Sequence, residues 1–364
     1  MRILHLINNL NFGGAEKMLV DIVRTMQEKG NDVDILTIQN NIDNLEALAK
    51  NLGIKVYSLG SGNLYNPIIL LKLRNYIGRY DITHVHLFPS QYWVAIYKRF
   101  FDKKAFIITT EHSTFNRRRK YNILKHIEKY IYRSFNCIIT ISEATYESLQ
   151  NWIGKNTANM VVINNGIDLE KIAKAKIANR NSLGYSFQET LLIMVGRFDL
   201  AKDQSTLIRA VNQLNRKDVK LLLVGDGPYR IVCEQLVNSL DSESQIMFLG
   251  NRTDAIELIK MADIGIISSH WEGFGLVAIE YMACGIPVIG SDVEGLKEVI
   301  SDYGLLFEKG NHLKLAEKIL LLTNNNVEYK KFAEKSLHRA AHFDIQHTAD
   351  KYQAIYKKMM TNLP

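Results

Sequence analysis

Glu272 and Glu280 stand with seven residues between them in Ser269-His270-Trp271-Glu272-Gly273-Phe274-Gly275-Leu276-Val277-Ala278-Ile279-Glu280. Carboxylates can move protons, or each can accept hydrogen bonds from two neighbouring hydroxyl groups. The apolar run Ile264-Gly265-Ile266-Ile267 before them reads as a buried strand. Leu276 to Cys284 reads as a helix that Gly285-Ile286-Pro287 ends. A strand, a glycine turn and a helix start bring unpaired backbone N–H groups together, which suits phosphate. Acids repel phosphate, so Glu272 and Glu280 either face other parts of a ligand or are solvated surface charges.

Other strand ends offer complementary chemistry. The strand at 191–195 leads into Gly196-Arg197-Phe198-Asp199-Leu200-Ala201-Lys202-Asp203. Arg197 brings a planar fork and Lys202 a mobile point charge, a pairing suited to a diphosphate; the alternative is salt bridging to Asp199 or Asp203. The first strand ends in Asn11-Phe12-Gly13-Gly14-Ala15-Glu16, where Gly13 and Gly14 let a backbone approach a ligand or simply make a tight turn. Gly-x-Gly-x-x-Gly is missing there, against a dinucleotide fold. Thr110-Glu111-His112-Ser113 follows another strand, and His112 can bond a hydroxyl, shuttle a proton or play a structural part. Gly225-Asp226-Gly227-Pro228 exposes backbone. Asn251 and Arg252 end a further strand, where backbone can meet a flat base.

The elements that position these residues alternate. Ile3–Ile7, Asp32–Ile38, Ile82–Leu87, Ala105–Thr109, Cys137–Ile141 and Val161–Ile163 read as strands, with helices at Ala15–Lys29 and Asn44–Asn51. After a Lys/Ala/Asn-rich joining segment the rhythm restarts. Leu191–Val195, Lys220–Val224, Ile246–Phe248, Ile264–Ile267 and Pro287–Ile289 are strands; Gln204–Leu214 and Tyr229–Asn238 are helices. Continuous apolar runs indicate parallel strands covered on both faces. The expected fold is α/β, with two Rossmann-like lobes facing a central cleft and joined near residues 170–186. The tail helix, about Gln346–Met360, is expected to cross back onto the first lobe. The domains are drawn at 1–170, 171–345 and 346–364. Asp32-Val33-Asp34 opens a strand rather than following one, so it reads as edge decoration and not as a metal motif.

The 364 residues are 47% hydrophobic and 23% charged, as in globular proteins with sizeable cores. The net charge of +7 favours anionic ligands. Part of it is local: Arg117, Arg118, Arg119 and Lys120 run into Lys125, His126, Lys129 and Arg133, interleaved with Leu124, Ile127, Ile131 and Phe135. This reads as a basic amphipathic helix. It either covers its own domain or docks on an anionic membrane surface, each basic residue contributing roughly 1 kcal/mol. Cys137, Cys233 and Cys284 lie far apart inside apolar patterns and suggest a reducing compartment. No apolar run is long enough to span a bilayer. The expectation is a cytoplasmic protein, peripheral at the inner membrane face.

The loops together describe a nucleotide sugar: polyol, diphosphate, ribose and base. At this point a family resemblance becomes plain. Gly13-Gly14-Ala15-Glu16, Asn165-Gly166-Ile167-Asp168, Gly196-Arg197 with Lys202, and Gly225-Asp226-Gly227-Pro228 are its first marks. The last is the Glu272/Glu280 pair followed by Met282-Ala283-Cys284-Gly285-Ile286-Pro287-Val288. In order, and over nearly the whole chain, these resemble a retaining glycosyltransferase of family 4 (group 1) with the GT-B fold. The resemblance implies that Arg197 and Lys202 bind the donor diphosphate, with Gly14 close to the phosphates and the reacting centre. It implies that Glu272 binds hydroxyls of the transferred sugar, that the backbone of Gly273, Phe274, Gly275 and Leu276 holds sugar and phosphate, and that Glu280 binds the ribose diol. His112 matches the family's histidine near the anomeric centre and C6 hydroxyl, and Glu16 faces the acceptor side. Gly13, Gly225, Asn251 and Arg252 complete the donor set.

The resemblance thus implies an enzyme with no cofactor and no metal, taking a UDP-sugar or GDP-sugar donor, UDP favoured. The acceptor is lipid-linked or polysaccharide, in surface glycan synthesis, and no nucleic acid is bound. Retention is implied to proceed by attack from the leaving-group side, with the leaving phosphate as base. Alternatives are a GT-B nucleotide-sugar epimerase, an NAD-dependent oxidoreductase, or a non-catalytic basic module that binds membrane or nucleic acid.

Overall fold

Branched apolar runs form the strands of this computed structural model because both faces of each sheet are covered. The structure describes residues 1–11, 13–40, 44–155 and 157–361; the side chains of Asn44 and Arg117 are outside that description. Phe12 of the first glycine loop, the side chain of Arg117 at the head of the basic segment and residues 362–364 of the tail therefore lie outside it. The chain divides into two compact units, Met1–Gly166 with Ile345–Pro364, and Ile167–Asp344.

The first unit holds seven parallel strands: β1 (Arg2–Ile7), β2 (Asp32–Thr37), β3 (Val56–Ser58), β4 (Ile82–His86), β5 (Ile107–Glu111), β6 (Cys137–Thr140) and β7 (Met160–Val162). They lie in the order β3-β2-β1-β4-β5-β6-β7. The helix Gly14–Glu28 buries Met18, Leu19, Ile22, Val23 and Met26, one face at 3–4-residue spacing. The helix Ile345–Thr361 belongs to the same unit and buries Ile345, Thr348, Ala349, Tyr352 and Tyr356. Burying each tyrosine ring contributes roughly 2–3 kcal/mol before entropy is counted. Gly166 makes the return possible: a Cβ there would lie 2.7 Å from the Ile345 Cα. Thr348 Oγ1 also donates to the Asn164 carbonyl at 3.1 Å. The Asn-Gly-Ile-Asp motif thus seats the tail helix at Gly166, and Asp168 caps the helix Leu169–Lys174.

The second unit has six parallel strands: β8 (Thr190–Val195), β9 (Val219–Val224), β10 (Ile246–Gly250), β11 (Ile264–Ile267), β12 (Val288–Ser291) and β13 (Leu305–Phe307). Their order is β10-β9-β8-β11-β12-β13. Its core joins Leu192, Met194, Leu221, Leu223, Ile264 and Ile266 to Leu207, Val211, Leu315 and Ile319 from the helices.

Several expectations change. β3 and β13, each of three residues with two of them only half-buried, are missing from the sequence reading, whereas the equally short β7 is in it. The segment read as a join between lobes is packed on the second unit. Arg180 donates to the Met261 carbonyl and to Asp263 at 2.7 Å, and Ala178 N–H to the Glu257 carbonyl. Asp34 is not edge decoration: it is 5% exposed on a strand flanked by β1 and β3, and it accepts the Tyr80 hydroxyl at 2.6 Å. Burial pushes the Cys137 thiol up to about 12 and that of Cys233 up to about 11, so both behave as inert apolar side chains. Among the described residues, no helix is long and apolar enough to cross a membrane.

Candidate active site

In a parallel sheet every strand ends at the same edge, and ligands gather where the strand order reverses. In the second unit that point lies between β8 and β11. The loop after β8 carries Gly196, Arg197 and Lys202; the loop after β11 carries Glu272 to Gly275.

These two loops are laced together. Ser268 Oγ donates to the carbonyls of Lys202 (3.1 Å) and Asp203 (2.8 Å). The His270 N–H donates to the Ala201 carbonyl at 2.7 Å. Lys202 Nζ then reaches Glu272 Oε1 at 2.6 Å, and Ser269 Oγ donates to the same oxygen at 2.7 Å. The pair is largely shielded, with side-chain exposures of 26% and 12%. Asp199 accepts the Ala201 and Lys202 N–H groups, and Asp203 caps the helix Gln204–Leu214. Arg197 is exposed, and among the described residues it makes no ion pair. A surface cation is thus left beside a cation already paired to the first glutamate.

The helix Leu276–Ala283 starts at Gly275, whose φ of 84° favours glycine. Phe274 points into the core, 2% exposed, with its ring edge-on to Phe343 at 5.6 Å, so only its backbone is left for a ligand. Gly295 lies against the Glu272–Gly273 backbone, where a Cβ would come within 2.6 Å of the Glu272 carbonyl oxygen. Tyr281 fixes the helix on the sheet. Its ring fills the space over Gly265, and its hydroxyl accepts the Val195 N–H at 2.8 Å. Glu280, one residue earlier, is 7% exposed. Sequence reasoning missed Tyr281 and Ser269; Gly265 inside an apolar strand was the available signal for a close approach.

The other donor candidates fall on the same edge with different surroundings. Gly225 has φ 128°, and a Cβ would lie 2.1 Å from the Gly196 carbonyl oxygen. Its bare face therefore accommodates the neighbouring loop, which accounts for the glycine whether or not a ligand is bound there. Asn251 is exposed. Arg252 is also exposed and forked onto Asp254 at 2.7 and 2.6 Å, so its guanidinium is locally engaged. Asp292 and Leu306 to Lys309 line a hollow at the ends of β12 and β13, outside the predicted donor set.

In the first unit, Gly13 precedes the helix Gly14–Glu28 in extended geometry. Glu16 folds back over it: a Cβ on Gly13 would lie 2.1 Å from Glu16 Oε2. A carboxylate three residues past the cap is the capping-box position, so Glu16 supports the start of its own helix. His112 follows β5 directly and is half-buried. Its Nε2 lies 3.1 Å from His86 Nδ1. Burial pulls the His112 imidazole down to about 4.

The ring nitrogens of His5, His84 and His86 also converge, one from each lying within 4.8 Å of the others. Both nitrogens of His84 are taken, by the Tyr356 hydroxyl at 2.6 Å and by Thr110 Oγ1 at 2.7 Å. Those of His86 bond to His5 and His112. Apart from His5 Nε2, which is buried without a partner, the ring nitrogens of the cluster are engaged in hydrogen bonds rather than free as metal ligands.

The basic segment is partly corrected. Arg118 is turned inward onto Glu128 at 2.7 Å and lies over the Phe88 ring at 3.7 Å. Glu128 is fully buried and also accepts from the Tyr92 hydroxyl and Trp152 Nε1. Arg119 donates to Ser148 Oγ at 2.7 Å. Two of the cations thus hold the fold. On the helix Asn122–Tyr132, Ile123 (74%) and Ile127 (47%) are exposed beside Lys125.

Two parallel-sheet α/β units, the second with a paired cation and acid at its switch point, are the frame in which sequence comparison places the chain. Residues 12–171 match glycosyltransferase family 4, and residues 176–339 match glycosyl transferases group 1. The chain belongs to this glycosyltransferase family. Among its relatives is the N-acetyl-alpha-D-glucosaminyl L-malate synthase of Bacillus anthracis, 26% identical over 94% of this chain and 93% of that protein. Another is the N-acetylgalactosamine-N,N'-diacetylbacillosaminyl-diphospho-undecaprenol 4-alpha-N-acetylgalactosaminyltransferase of Campylobacter jejuni, 24% identical over 93% and 94%. The crystal structure of Anabaena Alr3699/HepE with UDP and glucose shares the GT-B fold, with a TM-score of 0.88. It is 21% identical and covers 98% of this chain and all of that one.

Proposed function

We propose that this glycosyltransferase is retaining and metal-independent, moving a sugar from a UDP-sugar onto a lipid-linked or polysaccharide acceptor in surface glycan synthesis. It works in the cytoplasm, peripherally at the inner membrane face. The observation that carries the reading is the Lys202–Glu272 pair beside exposed Arg197 at the switch point of the second sheet. UDP is supported by the UDP-bound Anabaena structure, and a lipid-linked acceptor by the undecaprenol named for the Campylobacter relative.

As the anomeric C–O bond breaks, charge develops on the departing nucleoside diphosphate. Arg197, Lys202 and the N–H groups at the start of the Leu276–Ala283 helix stabilise it without a metal. Drawing Lys202 onto phosphate releases Glu272 to accept sugar hydroxyls, while Glu280 takes the ribose diol. The acceptor oxygen bonds the anomeric carbon from the leaving-group side, and its proton passes to the leaving phosphate.

Thermal shifts with UDP, GDP and ADP test the donor. A nucleotide at 100 times its Kd adds roughly 2.7 kcal/mol. Glu280→Ala should lose that gain, whereas Glu272→Ala should keep it and lose turnover; equal loss in both would sink the assignment. Full activity in EDTA and an unchanged anomeric configuration by NMR are expected. Recruitment to vesicles containing anionic lipid at low salt, reduced by Lys125→Glu with Ile123→Ser, tests the membrane part.

A further inference from the structure

His5 on β1 is in register with His84 on β4, and His86 lies two residues on, so all three rings project from one face of the sheet. They are 0%, 0% and 1% exposed. His5 Nδ1 lies 2.9 Å from His86 Nε2, and His86 Nδ1 lies 3.1 Å from His112 Nε2. His5, His86 and His112 form one chain of imidazoles, open at His112 Nδ1 and closed at His5 Nε2, which is buried with no partner.

We propose that His5 and His86 are positioning residues that hold His112 as its Nδ1–H tautomer, so that His112 presents a fixed hydrogen-bond donor to a hydroxyl oxygen of the transferred sugar. The facing of the sugar rests on the functional reading above and on the role that the family resemblance implies for His112; the tautomer does not.

A neutral imidazole has one N–H and one lone pair, and each link needs one hydrogen, so the chain has only two polarities. In the inward one, His112 Nε2–H donates to His86, His86 Nε2–H donates to His5, and His5 keeps its proton on Nε2. That strands a buried N–H, the rarest kind of unpaired polar group. In the outward one, His5 Nδ1–H donates to His86, and His86 Nδ1–H donates to His112. What remains at His5 is a bare lone pair, and His112 is left with its proton on Nδ1. Burial holds all three rings neutral. His112 therefore works as a donor, not as an acid or base.

The direct test is the imidazole 15N spectrum of the ligand-free, 15N-histidine-labelled protein near pH 7.5, with His112 assigned by the peaks lost in His112→Gln. Nδ1–H tautomers at His5, His86 and His112 are expected. An Nε2–H tautomer at His112 overturns the proposal, as does stoichiometric zinc bound by the His5/His84/His86 cluster in place of the chain. His86→Phe should release His112 to Nε2–H and lower kcat/KM about tenfold, the order of one hydrogen bond. Retention of the Nδ1–H form in that variant also overturns it. Should His86→Phe fail to fold, the wild-type spectrum still decides. If the Nδ1–H form is present but a saturating UDP-sugar leaves the His112 signals unmoved, the tautomer stands and the placement of His112 at the sugar fails.

Discussion

Lowering the pH from 7.5 to 5.5 should cost the first unit about 4 kcal/mol of stability. Burial lowers His5 to about 3 and holds His84 and His86 well below the ordinary histidine value. Their folded values lie below that of the unfolded chain, so the unfolded state takes protons that the folded state refuses. The contribution is whole above pH 6.5 and is lost as pH falls below it. At pH 5.5 each ring that titrates at 6.5 when unfolded costs about 1.4 kcal/mol, and three give the total. His112, lowered to about 4, adds a share of similar size at pH 5.5, so about 4 kcal/mol is the least expected. Against a domain stability of about 5–15 kcal/mol this is a large fraction. Urea unfolding at the two pH values measures the loss. Hydrogen exchange of peptides covering Arg2–Ile7 and Ile82–His86, corrected for intrinsic rates, assigns it to the first unit. A loss below about 1 kcal/mol, or one located instead in Thr190–Val195, would refute the reasoning.

Glu128→Gln keeps the volume but leaves the partly exposed Arg118 without its buried carboxylate, so a loss of about 1.5–3 kcal/mol is expected, with an altered Trp152 fluorescence; a variant of unchanged stability would show that the pair is dispensable. Gly225→Ala sets a Cβ against the Gly196 carbonyl at a φ of 128°, so the second unit should lose about 1–3 kcal/mol in calorimetry. Nucleotide-induced stabilisation should fall as well, because Arg197 moves with that loop; an unchanged Tm would count against the close contact. Tyr281→Phe removes the acceptor of the Val195 N–H and should cost about 1 kcal/mol, with faster exchange at that amide as the readout.

The order of elements and the location of the chemistry are local properties, and so they were legible. Val, Ile and Leu runs mark strands that are covered on both faces, and glycines mark loops at strand ends, so Gly196–Lys202 and Glu272–Glu280 could be named before any coordinates. The terminal helix was visible from the helical spacing of about Gln346–Met360. A run of three residues carries no period: β7 was legible, and β3 and β13 were not.

What the tertiary structure decided is how side chains are paired, because pairing depends on neighbours remote in sequence. Lys202 and Glu272 are 70 residues apart and share one hydrogen bond. Arg118 and Arg119, surface cations by composition, are turned inward by Glu128 and Ser148. Gly225 looked like backbone offered to a ligand, but its closeness to Gly196 by itself accounts for a glycine there. The histidines show the difference most sharply. Sequence places His5, His84, His86 and His112 at or just past strand positions, whereas only the parallel register of β1, β4 and β5 stacks them into one cluster. Periodicity tells which face a residue occupies; register tells what it meets there.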